Sequence, residues 1–157
     1  MAAKGPDSDF SVLQVTDEAA FSQRNFFVPQ ALRPFISTFY EFRCDENRLV
    51  GMHPSFASHL LIYLRGQGVF EFHGGYRDPL PDIGLMSPCS YAARFIVEGG
   101  FLAVGAALTP LGWAALTRLD ASKYGIRLFP ASRYLGFSAS ELASHVRDGF
   151  HEGSLSS

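Results

Sequence analysis

The chain has five histidines, and two of them, His53 and His59, lie six residues apart. Paired histidines can bind metals or move protons, but this spacing fits neither the His-x-His nor the His-Glu-x-x-His pattern of a metal centre. A metal site would require the fold to bring His73 or a carboxylate beside them. We therefore predict no metal and no other cofactor, and we expect these histidines to line a pocket or to form hydrogen-bonded surface groups.

Patterns for nucleophilic catalysis and phosphate binding are missing from the sequence. It contains no Gly-x-Ser-x-Gly motif, and Cys89 has no neighbouring histidine, so we expect Cys89 to serve in packing. The paired glycines, such as Gly74 and Gly75, separate strand-like segments and do not lead from a strand into a helix, as the glycines of a dinucleotide site do. The sequence therefore predicts no catalytic residue.

Aromatic side chains form the remaining candidate site. They fall on segments that must face one another if a β barrel closes, and a barrel of about eight strands can hold one small ligand. Tyrosine hydroxyls and His59 would make the few polar contacts of such a pocket. The same side chains could instead fill the barrel as plain core, and the sequence leaves both interpretations open. The predicted ligand-binding residues are Tyr40, Phe42, His53, Phe56, His59, Tyr63 and Tyr91.

The elements that position these residues are strands, because apolar and polar residues alternate with a two-residue period. In the segment 58–65 the even-numbered face from Leu60 to Leu64 is wholly apolar. The opposite face is mixed, because it carries His59 and Tyr63. We expect further strands to cover these faces, since a lone pair of strands is only marginally stable.

Two glycine pairs predict hairpins. Gly66 and Gly68 follow the first of these strands, and Gly99 and Gly100 follow another alternating segment. Glycine takes positive φ at little steric cost and suits the tight turn of a hairpin. Each glycine pair is therefore predicted to reverse the chain between two antiparallel strands.

The last third of the chain changes from strand patterns to helix patterns. Thr109 followed by Pro110 is typical of a helix start, and it predicts a helix that runs to about Leu119. Ser138 and Glu141 have the spacing of a capping box and predict a second helix. Its apolar stripe is longer than docking on its own domain requires. The residues predicted to lie near a homodimer contact are Leu142, Val146 and Phe150.

The composition of the 157-residue chain fits about one domain with a substantial core. Hydrophobic residues make up 47% of it, and the fifteen Phe favour an aromatic β core over disorder. The net charge of −2 and the absence of a Lys/Arg run argue against DNA binding by this chain itself. Cys44 and Cys89 are expected to be reduced thiols. We find no leader-like or membrane-spanning apolar segment, so we predict a cytoplasmic protein without membrane contact.

The order of the elements predicts a mainly β fold, a jelly-roll antiparallel barrel of about seven to nine strands followed by two C-terminal helices. We expect residues 1–20 to form a flexible arm, residues 21–109 the barrel with its ligand-sensing region, and residues 110–157 a helical region for dimerisation.

Three segments of this chain resemble the amino-terminal, cupin-like sensing domain of AraC-type transcriptional regulators. They are Leu32–Phe42, His53–Leu64 and Gly105–Leu116, and the most specific feature is Gly-x-x-x-Thr-Pro-x-Gly from Gly105 into a helix. The resemblance covers about residues 30 to 150. It implies a cupin-like barrel that binds a small effector, dimerises through its C-terminal helices and biases an attached DNA-binding unit by linkage.

The resemblance also implies that DNA is contacted only through a helix-turn-helix domain outside this chain, which ends at Ser157. Whether the chain is an excised sensor domain or a stand-alone relative stays open. Two other functions are considered. One is a cupin-type metal-dependent enzyme, an isomerase or oxygenase, although the His-x-His core of that signature is missing. The other is a partner-binding module whose barrel is completely filled.

Overall fold

A computed structural model describes residues 12–17, 21–53, 57–123, 127–135 and 137–155 of the chain. Its strands are β1 (Val12–Asp17), β2 (Ser22–Phe26), β3 (Ile36–Cys44), β4 (Arg48–His53), β5 (Ser58–Glu71), β6 (Arg77–Pro79), β7 (Ile83–Met86), β8 (Ala93–Leu108) and β9 (Leu128–Pro130). Its α-helices are α1 (Pro110–Thr117), α2 (Ser132–Leu135) and α3 (Phe137–Leu155), and short 3-10 helices occupy Gln30–Leu32 and Ala121–Lys123.

These strands form one antiparallel sheet. Their order across the sheet is β1-β2-β3-β8-β5-β7-β9, with β4 beside β8 and β6 beside β5. Within the described ranges β1 and β9 end this path and do not pair with each other, so the sheet is not closed by hydrogen bonds. The predicted class, mainly antiparallel β with C-terminal helices, is confirmed. The expected full closure of a barrel is not found.

The two longest strands, β5 and β8, pair along almost their whole lengths, and the register of their pairing is irregular at one place. Their register shifts where β5 passes residues 63–67, opposite residues 98–103 of β8. At this level Gly66, Gly99 and Gly100 take positive φ, which glycine adopts at little cost. Extra residues in one strand of an antiparallel pair form bulges that bend the strand. Both strands therefore bend at the same place.

On its other edge β8 pairs with two strands in succession, β3 and β4. The break between them lies beside the irregular place in β5 and β8. There β3 pairs with residues 101–108 of β8, and β4 continues along residues 93–98. The turn between β3 and β4 is joined to the bend by a hydrogen bond of 3.1 Å from the Gly99 amide to the Asn47 carbonyl oxygen. The bends in β5 and β8 and the neighbouring turn form a line across the sheet that we call the crease. It comprises residues 45–47, 65–67 and 98–100.

The crease folds the sheet into two facing layers. The first layer contains β1, β2, β3, β7, β9 and the halves of β5 and β8 next to them, and the second contains β4, β6 and the remaining halves. Aromatic rings from opposite layers meet in the interior. The ring centroids of Phe42 and Phe95 are 5.9 Å apart, and those of His53 and His59 are 4.5 Å apart.

The bulge in β5 decides which of its residues face the interior. Before the bulge the interior side chains are Leu61 and Tyr63, which have odd numbers, and after it the interior side chain is Phe70. Side chains alternate along a strand, so an inserted residue is needed to bring odd and even positions to one face. One long strand can therefore line both layers.

The outer face of the first layer is covered by the C-terminal helices. Ile62 and Ile83 of the sheet belong to one apolar cluster with Trp113 of α1 and with Ala139 and Ala143 of α3. The face predicted to be wholly apolar is thus the one beneath the helices, and the mixed face lines the interior. None of the helices in the described ranges has the length and apolar character needed to cross a membrane.

Several local predictions are confirmed or corrected by this architecture. Thr109 caps α1, since its Oγ1 accepts a 3.0 Å hydrogen bond from the Gly112 amide, and α3 includes the second predicted helix. Both predicted hairpins are wrong, because the glycines lie inside β5 and β8 and bend these strands without reversing them. The short strand β9 and helix α2 were not predicted.

A side chain added at the crease is expected to destabilise the fold. A Cβ on Gly66 would lie 2.7 Å from the Glu98 carbonyl oxygen and 3.0 Å from the Phe101 Cα. Gly66→Ala should lower the free energy of unfolding by about 3 kcal/mol, because positive-φ strain and overpacking add. Gly75→Ala is the matched control: Gly75 also has positive φ, but nothing lies within 4 Å of its added Cβ. It should lose only about 1 kcal/mol in urea unfolding, and equal losses would contradict the proposed close contact.

An ion pair between a buried carboxylate and a partly exposed arginine ties the segment that leads into β9 to β6. Asp78, which is 7% exposed, accepts hydrogen bonds from Arg127 Nε at 2.7 Å and Nη2 at 2.6 Å, and from the Leu128 amide at 3.1 Å. Burial acts to raise the pKa of Asp78, but the hydrogen bonds from Arg127 and Leu128 and the charge of Arg127 outweigh it and lower the pKa. The fold therefore favours the ionised carboxylate.

The contribution of Asp78 should depend on pH. Its pKa in the folded protein lies below its unfolded value of about 4, so the stabilisation is complete above roughly pH 5 and is lost as the pH falls through the folded pKa. Asp78→Asn should lower the free energy of unfolding by about 2 kcal/mol at pH 7. Urea unfolding should show this difference shrinking towards pH 3. Asp82→Asn, at an exposed carboxylate, is the control, and a pH-independent difference for Asp78→Asn would refute the assignment.

Candidate ligand-binding site

The space between the two layers contains a cavity of about 250 Å³. A cavity of roughly 150 Å³ in a protein core is large enough to bind benzene, so this one has room for a larger molecule. Most of its wall is apolar. The lining residues are Phe21, Gln23, Asn25, Thr38, Tyr40, Phe42, Met52, His53, His59, Leu61, Tyr63, Phe70, Phe95, Val97, Phe101 and Ala103.

A tyrosine and a histidine from two strands meet in this wall. Tyr40 lies on β3 and His59 on β5, the strands on either side of β8, and the Tyr40 Oη and His59 Nδ1 atoms are 2.9 Å apart. Tyr40 pairs with Gly105 of β8, where a Cβ would lie 2.5 Å from the Tyr40 Cζ. The Tyr40 ring can cross over β8 because residue 105 has no side chain.

Burial keeps this pair uncharged. It raises the pKa of Tyr40 far above its ordinary value. Burial, with the charge of His53 as a second cause, lowers the pKa of His59 to about 3. Both groups are therefore neutral at pH 7. A neutral imidazole has one donor and one acceptor nitrogen. The Tyr40 hydroxyl can bond to Nδ1 in either role, and Nε2 then has the role opposite to that of Nδ1.

His53, at the end of β4 in the second layer, lies beside this pair. Its ring meets the His59 ring nearly at right angles, with an interplanar angle of 88°, and lies 5.9 Å from the ring of Phe70. The fold brings the two histidines together although their spacing matches no recognised motif. Across the described part of the chain, no three side chains of the His, Cys, Asp or Glu type converge on one point.

Tyr63 contributes a hydroxyl of a different kind. The residue is 8% exposed and lines the cavity, and its hydroxyl oxygen is buried without a hydrogen-bond partner among the described residues. Burial, and secondarily the nearby Tyr40, raises the pKa of Tyr63. The hydroxyl therefore keeps its proton and is a donor that the described side chains do not use.

Short polar side chains complete the wall on the side of β2 and β3. Gln23 Nε2 donates a 3.1 Å hydrogen bond to Asn25 Oδ1, and Thr38 Oγ1 donates one of the same length to the Phe39 carbonyl oxygen. Their residual hydrogen-bonding capacity lies next to an otherwise aromatic surface.

The structure places most of the predicted ligand-binding residues together. The ones that line the cavity are Tyr40, Phe42, His53, His59 and Tyr63. Phe56 lies outside the described residues. Whether any of these side chains binds a ligand stays a prediction.

Tyr91 does not belong to the cavity wall. It is 56% exposed, and its ring stacks on that of His73 with a centroid distance of 4.6 Å. The reason is that β8 begins only at Ala93, so Tyr91 precedes the strand pairing that would turn it inward. Phe95, on the same alternating face of the sequence, lines the cavity instead.

Other lining residues were missed by the sequence analysis. Gln23 and Asn25 lie on β2, which had not been predicted as a strand, although their two-residue spacing on one face was a signal. Gly105 was part of the motif that carries the family resemblance, but its role in making room for Tyr40 depends on the neighbouring strand.

The predicted dimer residues have different surroundings. Leu142 is 38% exposed on α3, whereas Val146 is partly buried against the core of its own domain. The side chain of Phe150 lies outside the described part of the structure. The dimer contact therefore stays a prediction, and Leu142 is the member of this set with an exposed side chain.

The two cysteines are free thiols, and both are buried. Cys89 Sγ donates a 3.1 Å hydrogen bond to the Ser87 carbonyl oxygen, and burial raises the pKa of Cys89 to about 11. A thiol of high pKa is a poor nucleophile at pH 7, which agrees with the expected packing role.

Comparison with known protein families and with curated protein sequences gives no match. Comparison with solved structures gives cupin-fold proteins. A variant of oxalate decarboxylase from Bacillus subtilis has a TM-score of 0.44 and 11% identity over 60% of this chain and 27% of that chain. Pumpkin seed globulin has a TM-score of 0.47 and 11% identity over 78% of this chain and 37% of its own. Ectoine synthase from P. lautus has a TM-score of 0.42 and 14% identity over 83% of this chain and 91% of its own.

This chain therefore spans well under half of the oxalate decarboxylase and seed globulin chains. All three TM-scores are below 0.5. The description of the fold accordingly rests on the strand order and register of this chain, and no activity is transferred from these proteins.

Two tyrosine substitutions should have opposite effects on stability. Tyr40→Phe removes the partner of His59 and should lower the free energy of unfolding by about 1 kcal/mol. Tyr63→Phe removes a buried hydroxyl that has no described partner, so it should be neutral or stabilising by up to about 1 kcal/mol. Chemical denaturation of both variants, with Tyr91→Phe as the exposed control, measures these differences. A loss for Tyr63→Phe as large as that for Tyr40→Phe would show that the Tyr63 hydroxyl is bonded in the folded protein.

Proposed function

We propose that this domain binds a small molecule between its two layers and acts as the ligand-sensing domain of an AraC-type transcriptional regulator. The observation that carries the proposal is the mainly apolar cavity of about 250 Å³ at which the Tyr40–His59 pair and the Tyr63 hydroxyl converge. An apolar cavity with a few placed polar groups is typical of small-molecule sites. The assignment to AraC-type regulators comes from the sequence resemblance around Gly105 and Thr109.

Strand β5 offers a route from the cavity to the C-terminal helices. The Tyr63 side chain lines the cavity, while its carbonyl oxygen accepts a 3.3 Å hydrogen bond from Arg147 Nη2 of α3. The adjacent Ile62 packs in the cluster beneath α1 and α3. A ligand that moves Tyr63 would therefore act on α3 through one stretch of backbone. It can shift the equilibrium only by its difference in affinity for the two states.

The proposal includes a homodimer that forms through α3, with Leu142 near the contact. It also assigns DNA binding to a separate helix-turn-helix domain and the protein to the cytoplasm. These parts follow from the resemblance and from the weak net charge of −2. The alternative of a metal-dependent enzyme would need a third ligand beside His53 and His59, and the described residues bring no such group to them.

Filling the cavity should abolish ligand binding without unfolding the protein. Ala103 is buried in the wall, and Ala103→Phe would place a ring in the space. A thermal-shift screen of small molecules should give compounds that raise the melting temperature of the wild type, and Ala103→Phe should lose at least about 90% of that shift, because the ring occupies the volume the ligand needs. Val50→Phe adds a ring at an exposed position of β4 outside the lining and should keep the full shift.

The proposed coupling between ligand and dimer is tested by a separate measurement. Sedimentation of the wild type at high micromolar concentration should show a dimer, and a compound from the screen should change its dissociation constant, whereas Leu142→Glu should weaken the dimer. A binding compound whose effect survives in Ala103→Phe would place its site elsewhere. A protein that stays monomeric with and without the compound would refute the dimeric sensor.

A further inference from the structure

Among the described residues, the cavity wall has no permanently charged side chain. None of its described lining residues is Lys, Arg, Asp or Glu. Tyr40 and His59 are held neutral by burial, as shown above. Moving an ion from water into such a site without a counter-ion is strongly unfavourable. The wall therefore selects against simple ammonium groups, and it selects against carboxylates and phosphates wherever His53 is uncharged.

Several Phe rings of the wall pack against one another. A cation binds over the exposed face of a ring. Phe42 instead meets Phe95 and Phe101 edge to face, with centroid distances of 5.9 Å and 6.0 Å, and Phe70 lies tilted against Phe95 at 5.9 Å. These ring–ring contacts cover part of each ring, and that part is closed to a cation in the cavity.

The wall contains a buried donor whose acceptor a ligand can supply. The Tyr40 hydroxyl is engaged with His59 at 2.9 Å. The Tyr63 hydroxyl, on a side chain more than nine-tenths buried, has no partner among the described residues. A buried donor without an acceptor is unfavourable, so a ligand that supplies an acceptor at this point gains affinity from it.

We infer that the ligand is an electrically neutral, mainly aromatic or aliphatic molecule that carries a carbonyl or similar acceptor oxygen and receives a hydrogen bond from Tyr63. By proportion to the benzene-sized cavity mentioned above, it has about ten non-hydrogen atoms. This inference rests on the proposed function, since it names the ligand class of the same cavity.

Four probes of nearly the same size and outline test the inference: acetophenone, benzoate, benzamidinium and α-methylstyrene. They differ in being a neutral acceptor, an anion, a cation and a hydrocarbon. Their dissociation constants for the full chain are measured by protein-observed NMR titration at pH 8, which is above the ordinary pKa of histidine. Acetophenone should bind, and benzoate and benzamidinium should bind at least about 100-fold more weakly, since neither finds a counter-ion.

Tyr63→Phe separates the hydrogen bond from the shape of the cavity. It should weaken acetophenone about tenfold and leave α-methylstyrene unchanged or bound more tightly, because the hydrocarbon no longer buries an unpaired hydroxyl. The matched control Tyr91→Phe changes an exposed tyrosine outside the wall and should alter none of the four constants. The NMR spectrum of each variant also reports whether it is folded.

Different results would overturn different claims. Benzoate or benzamidinium bound as tightly as acetophenone would refute a neutral ligand and leave the proposed small-molecule site standing. Equal loss of acetophenone and α-methylstyrene in Tyr63→Phe, or no loss of either, would refute the role of the hydroxyl. If none of the four probes binds while the screen yields cavity ligands blocked by Ala103→Phe, the inferred ligand class is wrong; if the screen also yields none, the proposed function fails with it.

Discussion

The crease is the constraint on which the rest of the structure depends. Strands that are hydrogen-bonded side by side must bend together, because a bend in one alone would break its ladder with the next. Here the bends of β5 and β8 and the turn between β3 and β4 fall at one level, where Gly66 lies against the backbone of Glu98 and Phe101. One sheet thereby provides both walls of an interior, and the cavity lies between them.

Within that interior, two glycines make room for aromatic rings. Gly105 lets the Tyr40 ring cross β8 to reach His59, and Gly51 likewise makes room for the Phe95 ring, which lies 2.5 Å from the position of an added Cβ. The Tyr40–His59 pair thus lies over Gly105, a backbone position without a side chain, in an otherwise apolar wall. Burial then keeps both members neutral, and the inferred preference for an uncharged ligand follows from this.

The first layer serves two purposes through the alternation of its side chains. Odd-numbered residues of β5 before the bulge face the cavity, and even-numbered ones support α1 and α3 on the other side. A displacement of this strand would be felt on both faces, since a β-strand is one residue thick. The Arg147 hydrogen bond to Tyr63 adds a direct link between the cavity strand and α3. This arrangement is the physical basis for a proposed coupling between ligand and helices.

The sequence by itself determined the antiparallel β class, the two unlike faces of residues 58–65, the start of α1 at Thr109 and much of the aromatic wall. These features are local, because alternation and capping depend on residues a few positions apart. Only the tertiary structure decided that the glycine pairs bend strands and do not reverse them, since positive φ allows either and the neighbouring strand selects one. It also decided that His53 meets His59 across two layers, and that Phe95 lines the cavity while Tyr91 stays outside, because the point where strand pairing begins is set by the partner strands.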